Sequence, residues 1–137
     1  MVEKISIILF SGAMDKLMAG AIIASGAVAN GLDVNIFTTF WSLLQFKKSG
    51  APKPTLSPDA GNMADQVMKT MKEKKVPSWL DTLKQIGEIG NVNVYGCAMF
   101  ADLMGIKKED LDPIVKDVIG VSQFVDMSKD AKMTLFL

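Results

Sequence analysis

The chain has 137 residues, fifteen basic against fifteen acidic side chains, one cysteine and no histidine. A chain of this size buries enough apolar surface to fold as one domain without disulfides or metals, and zero net charge gives it no electrostatic grip on nucleic acid. Lacking histidine, it cannot run Ser-His-Asp chemistry or hold a His-ligated zinc, and a lone thiol rules out an internal disulfide, a CxxC pair and a thiolate metal cage.

The opening "MVEKISIILF" sets an acid beside its lysine and has too short an apolar run for a signal peptide or a membrane span, so a cytoplasmic protein is expected. Within it, Lys4 to Phe10 is β-branched and apolar at nearly every position, as in a central parallel strand covered on both faces. A turn, "SGAM", leads into a helix over Asp15 to Asn30, with Leu17, Ala21, Ala24 and Val28 at helical spacing and Gly31 placed as a C-terminal stop. Asp33 to Phe40 supplies a second strand, completing a β-α-β unit that should be right-handed. Phe40, Trp41, Leu43, Leu44 and Phe46 are then crowded before two lysines, a segment readable as core, as a wall over a site, or as a docking patch. Ser49 to Gly61, with three prolines, reads as a mobile surface loop inside the same single domain.

Met63, Val67, Met68 and Met71 form an apolar stripe on a helix over 63–75, expected to face the core, although flexible thioethers also suit a lid or an adaptable docking face. Ser78 to Asp81 matches a capping box, and Trp79, Leu83, Ile86 and Ile89 carry a further helix to Gly90. "NVNVYG" predicts a third strand and "CAMFADLMG" a short helix beginning near the cysteine. Asp112-Pro113 offers the start of another short helix. "KDVIGV" predicts a strand, "SQFVDMSKDA" a helix capped by Ser122, and "KMTLFL" a last strand. The alternation indicates an α/β three-layer sandwich, flavodoxin-like, with about five mostly parallel strands. Apolar residues make up 49% of the chain and ten are methionine, which suggests apolar surface shared with other copies in a homo-oligomer.

Cys97 falls between a strand and a helix, at the carboxyl edge of a parallel sheet, where ligands collect in open α/β folds. Main-chain N–H groups at a helix start favour a thiolate and would hold an anionic sulfur species; against this, free cysteine is among the most buried residue types and packs as a small hydrophobe. Gly96 permits a sharp exit and a close approach to the sulfur, and with Ala98 and Met99 it completes the candidate binding set around Cys97. The turn after the first strand should reach the same edge and bring Ser11, Gly12 and Lys16 to an anion there, although it lacks the spacing of a phosphate loop. Glu109, Asp110 and Asp112 are expected from capping and the helix dipole rather than from a metal site. No metal and no cofactor are expected.

Three motifs carry a family resemblance: Ser11, Gly12, Asp15 and Lys16 in the first turn; Phe37, Thr38, Phe40 and Trp41 at the end of the second strand; and Cys97 followed by Asp102 to Ile106. With the ending "TLFL", they make nearly the whole chain resemble the DsrE/DsrF/DsrH-like sulfur-transfer family, in its DsrE-like branch that often carries a peroxiredoxin label. That label fits poorly, because no Pro-x-x-x-Thr-x-x-Cys arrangement precedes Cys97. The resemblance implies an α/β fold, homo-oligomers, and a cysteine, here Cys97, that takes sulfane sulfur as a persulfide or thiosulfonate and passes it to a small TusA-like carrier. Lys16 would then offset the charge of the bound anion, and Phe40 and Trp41 would limit water. The competing reading is a non-catalytic scaffold or membrane-peripheral subunit that uses its apolar segment to organise sulfur-metabolism proteins.

Overall fold

The computed structural model describes residues 2–137. Its strands β1 (Lys4–Leu9), β2 (Asp33–Thr38), β3 (Val92–Cys97), β4 (Val115–Ile119) and β5 (Met133–Phe136) form one all-parallel sheet in the order β4-β3-β2-β1-β5. Among the described residues they are joined by the helices α1 (Met14–Ala29), α2 (Trp41–Gln45), α3 (Ala64–Glu73), α4 (Trp79–Ile89), α5 (Ala98–Met104) and α6 (Val121–Met127). This is the α/β sandwich that the alternation predicts. No helix among the described residues is long and apolar enough to cross a membrane.

The strand order decides which face each helix covers. Crossovers from β1 to β2, β2 to β3 and β3 to β4 all step the same way across the sheet, whereas the crossover from β4 to β5 steps back over the others. Right-handed connections therefore place α1, α4 and α5 on one face and α6 alone on the other. Side-chain parity agrees. Leu9 meets α1 at Gly20, where an added Cβ would lie 2.9 Å from Leu9 Cδ2. Phe37, one step out of phase in the register pair Ile8↔Phe37, stacks instead on Phe124 of α6 with ring centroids 4.9 Å apart.

The α1 face holds most of the core. Leu17, Ala21, Ala24 and Ala27 bury the small-residue stripe of α1, while Trp79, Leu83 and Ile86 bury one side of α4. Gly31 takes φ +75° directly after α1, the left-handed stop that glycine allows. Ser78 caps α4 by accepting the Asp81 N–H at 3.0 Å.

Several local expectations are corrected. The methionine stripe is not core: no residue of α3 is buried, and Met63, Val67 and Met68 are exposed. Its helical period is real, but among the described residues no element buries that side, and only Met71 of the stripe is half-buried. The crowded segment after β2 forms the short helix α2, which the aromatic run did not predict. No helix starts at Pro113; the Asp112 carboxylate instead accepts the Ile114 N–H at 3.0 Å in a tight turn that delivers Val115 to its β3 partner Val94. Strand pairing of the β-branched residues overrides the capping signal. Ser122 lies inside α6, whose N-cap is Gly120.

The proline-rich loop is a surface segment, as predicted, but it is tied down. Ser57 donates to Asp15 through its N–H (2.9 Å) and its hydroxyl (2.6 Å), and Met14 N–H reaches Thr55 O at 2.8 Å. Partial burial pushes the Asp15 carboxyl up, yet the bonds from the Ser57 hydroxyl and amide outweigh it and hold the group below its ordinary value. Asp15 thus stays ionised to lower pH when folded than when unfolded, so its stabilisation is complete above about pH 4. It is lost as pH falls through the lowered folded value, because the unfolded chain takes up its proton first. Asp15→Ala is expected to cost about 1 kcal/mol at neutral pH and to flatten the acid limb of a urea-denaturation series, which an unchanged limb would contradict.

Candidate functional site

Cys97 is the last residue of β3 and the N-cap of α5. Its parity, shared with Tyr95 and hence with Phe37, turns its side chain to the thinly covered α6 face. It is 5% exposed and sits among hydrocarbon side chains, but it is not sealed: it lines a cavity of about 320 Å³ at the carboxyl edge of the sheet. Ile8 and Phe37 line this cavity from β1 and β2, Phe124 and Val125 from α6, and Phe136 from β5. Met99, 67% exposed, lines it from the first turn of α5. Thr39 is the one hydroxyl-bearing residue of the lining, and no charged residue among the described residues lines the space. This is the edge where open parallel sheets place their ligands.

The sequence-predicted residues divide into groups. Cys97 and Met99 share the cavity. Ala98, between them, begins α5, whose first N–H groups have no partner within the helix. Gly96 is buried on the opposite face, where a Cβ would lie 3.3 Å from Leu43 Cδ1, so its lack of a side chain lets α2 sit close behind the cysteine. Gly12 and Trp41 line a second cleft with the proline-rich loop, including Pro52, Thr55 and Ser57. A Cβ on Gly12 would stand 2.8 Å from the Trp41 carbonyl oxygen, so only glycine permits these backbones to approach this closely. Ser11 is used in the turn, its hydroxyl accepting the Ala13 N–H at 3.1 Å. Lys16 is exposed and lines neither space.

Phe40 links the two regions. Its ring stacks on Phe100 of α5 at 4.7 Å and packs on Phe10 at 5.2 Å; Phe10 in turn stacks on Phe136, in the cavity wall, at 5.8 Å. Its backbone has φ 52° and ψ −124°, a region a bulky residue enters at a cost of about 1–3 kcal/mol. The corner is held from both sides: Thr39 N–H bonds to Leu9 O, Ser42 N–H to Phe10 O, and the buried Ser42 hydroxyl bonds to Leu9 O and Thr38 Oγ1. Of the aromatic segment, Phe37 and Phe46 are buried and Phe40 half-buried, leaving Trp41, 52% exposed, as its open member.

The acidic group has local duties. Asp110 accepts the Lys107 N–H at 2.8 Å, and Asp112 pairs with Lys84 at 2.9 Å besides closing its turn. Among the described residues, no three His, Cys, Asp or Glu side chains converge as a metal site would require.

Most of the cavity wall went unpredicted. Ile8 and Phe136 read as strand residues and Phe124 and Val125 as helix residues, and only the reversed crossover to β5 brings α6 and β5 to the cysteine. The available signal was parity: residues in phase with Cys97 at the carboxyl ends of neighbouring strands share its face.

The sequence profile of the DsrE/DsrF/DrsH-like family matches residues 1–136. The chain belongs to that family. It is 32% identical to the uncharacterized protein YrkE of Bacillus subtilis (strain 168), across 98% of this chain and 97% of that protein. It is 26% identical to the sulfur carrier protein DsrE2 of Allochromatium vinosum, across 98% of each. A solved structure of a protein of unknown function, MTH1491 from Methanobacterium thermoautotrophicum, superposes with a TM-score of 0.60 at 9% identity, covering 97% of this chain and 98% of that one. The DsrE-like fold therefore extends across the described chain, and Cys97 stands where its sheet edge opens into a cavity.

Proposed function

We propose that this DsrE-like chain is a cytoplasmic sulfur carrier that takes sulfane sulfur onto Cys97, as a persulfide or a thiosulfonate, and passes it to the thiol of a small TusA-like carrier protein. The observation that carries this reading is the position of the chain's single thiol in the wall of a sheet-edge cavity, in a family with a sulfur carrier among its relatives. In the loading step, the Cys97 thiolate attacks the outer sulfur of a donor R–S–S–H. The new Sγ–S bond forms, the donor S–S bond breaks, and its electron pair leaves as R–S⁻, so Cys97–S–S–H appears without net oxidation. An acceptor thiolate then repeats the exchange and restores Cys97. With no second thiol in the chain, the acceptor belongs to another molecule.

The uncovered apolar side of α3 supports assembly of further copies of the chain into a homo-oligomer; a monomeric mass by light scattering would exclude this. For the relay, protein loaded with polysulfide and desalted is expected to raise the mass of a thiol carrier by one sulfur while Cys97 returns to the free thiol. Cys97→Ser should transfer nothing, and equal transfer by that variant would remove the reading.

A further inference from the structure

The lining of the Cys97 cavity restricts the charge of what enters it. Apart from those of Cys97 and Thr39, the side chains around it are hydrocarbon or thioether, with Val121, Val125 and Phe136 each more than half exposed at its edge. Lys16, the cation that could have balanced an anion, does not reach it. An anionic donor such as thiosulfate or tetrathionate would shed water here with only the first main-chain N–H groups of α5, and no opposite charge or side-chain donor set, in return, which is costly. An uncharged donor with an apolar arm would bury that arm against Phe37, Phe124 and Val125 and gain from the transfer. The volume, about 320 Å³, is that of a small-molecule site at the lower end of the usual range.

Resting on the sulfur-carrier reading, we infer that the donor loading Cys97 is an uncharged organic polysulfane with an apolar arm, R–S–S–S–R, in preference to an inorganic sulfur anion. The Cys97 thiolate attacks the central sulfur; one Sγ–S bond forms and one S–S bond of the donor breaks. The electron pair and one arm leave as R–S⁻, and Cys97–S–S–S–R remains; a small-molecule thiolate R′–S⁻ then attacks the sulfur of the retained arm, forming R′–S–S–R and releasing the Cys97–S–S⁻ persulfide. Each exchange consumes one thiolate and releases one, so no other outside oxidant or reductant enters. The cavity holds the retained arm, and the leaving thiolate departs past Met99 and Val125 to water.

Dipropyl trisulfide and bis(2-carboxyethyl) trisulfide test this, because both have three-carbon arms around the same reactive sulfurs and differ in charge. Loading of Cys97 is followed by intact-protein mass spectrometry, each rate divided by that of a free small thiol with the same reagent, and inorganic polysulfide is run alongside. The dipropyl compound is expected to load at least about tenfold faster on this scale. Val125→Lys, a change at a half-exposed rim position, should shrink or reverse the preference. Equal normalised rates while polysulfide still loads Cys97 would overturn the apolar-donor inference and leave the carrier reading standing. Failure of all three reagents to load Cys97 would overturn both.

Discussion

Phe124→Ala is expected to lower stability by about 3–5 kcal/mol, the range for truncating a buried phenylalanine, and to move the urea midpoint down by roughly 2 M. The size of the effect follows from the sheet order. One face is covered by a helix of seven residues whose one buried side chain is Phe124, stacked on Phe37 at 4.9 Å. Removing that ring takes away the attachment of α6 to β2. The same change enlarges the cavity beside Cys97, so alkylation of the thiol by iodoacetamide should speed up under conditions where the variant is still folded. Hydrogen exchange should rise first in residues 121–127. A midpoint within experimental error of the wild type would show that α6 is held by something other than this stack.

Phe100→Ala should cost a similar amount, about 3–5 kcal/mol, with a different functional signature. Phe100 is buried in α5, stacks on Phe40 at 4.7 Å and meets the edge of Trp41 at 6.0 Å. It therefore pins both the helix that starts at Cys97 and the strained corner at Phe40. Losing it frees the first turn of α5, so sulfur loading of Cys97 should slow in the folded variant, whereas Phe124→Ala should leave the thiol easier to reach. Trp41→Ala, at an exposed position in the second cleft, should change loading little. If Phe100→Ala loads as fast as wild type, the placement of Cys97 does not depend on this aromatic packing.

The two variants also mark how far the sequence could be read. The β-branched runs of β1 and β2, the small-residue face of α1, the Gly31 stop and the Ser78 cap are local signals, and each corresponds to an element in place. Cys97 at a strand-helix junction was readable for the same reason, since strand, glycine and helix onset are contiguous in the chain. What surrounds the thiol was not. Phe124, Val125 and Phe136 reach it because β5 returns beside β1, a long-range choice that no window of sequence contains. The α3 stripe shows the converse: helical periodicity says which residues share a side, but only tertiary context says whether that side is covered. At Asp112-Pro113 a helix-start signal competed with the pairing of Val115 to Val94, and the strand prevailed. Lys16 follows the first strand at the correct edge, yet α1 carries it away from the cavity.

The central claim is that Cys97 is a reachable sulfur acceptor, and intact-protein mass spectrometry after brief exposure to polysulfide measures it most directly. The wild type is expected to gain mass in steps of one sulfur, reversed by dithiothreitol, while Cys97→Ser gains none. An unmodified wild-type mass, or the same gain in both proteins, would contradict the account.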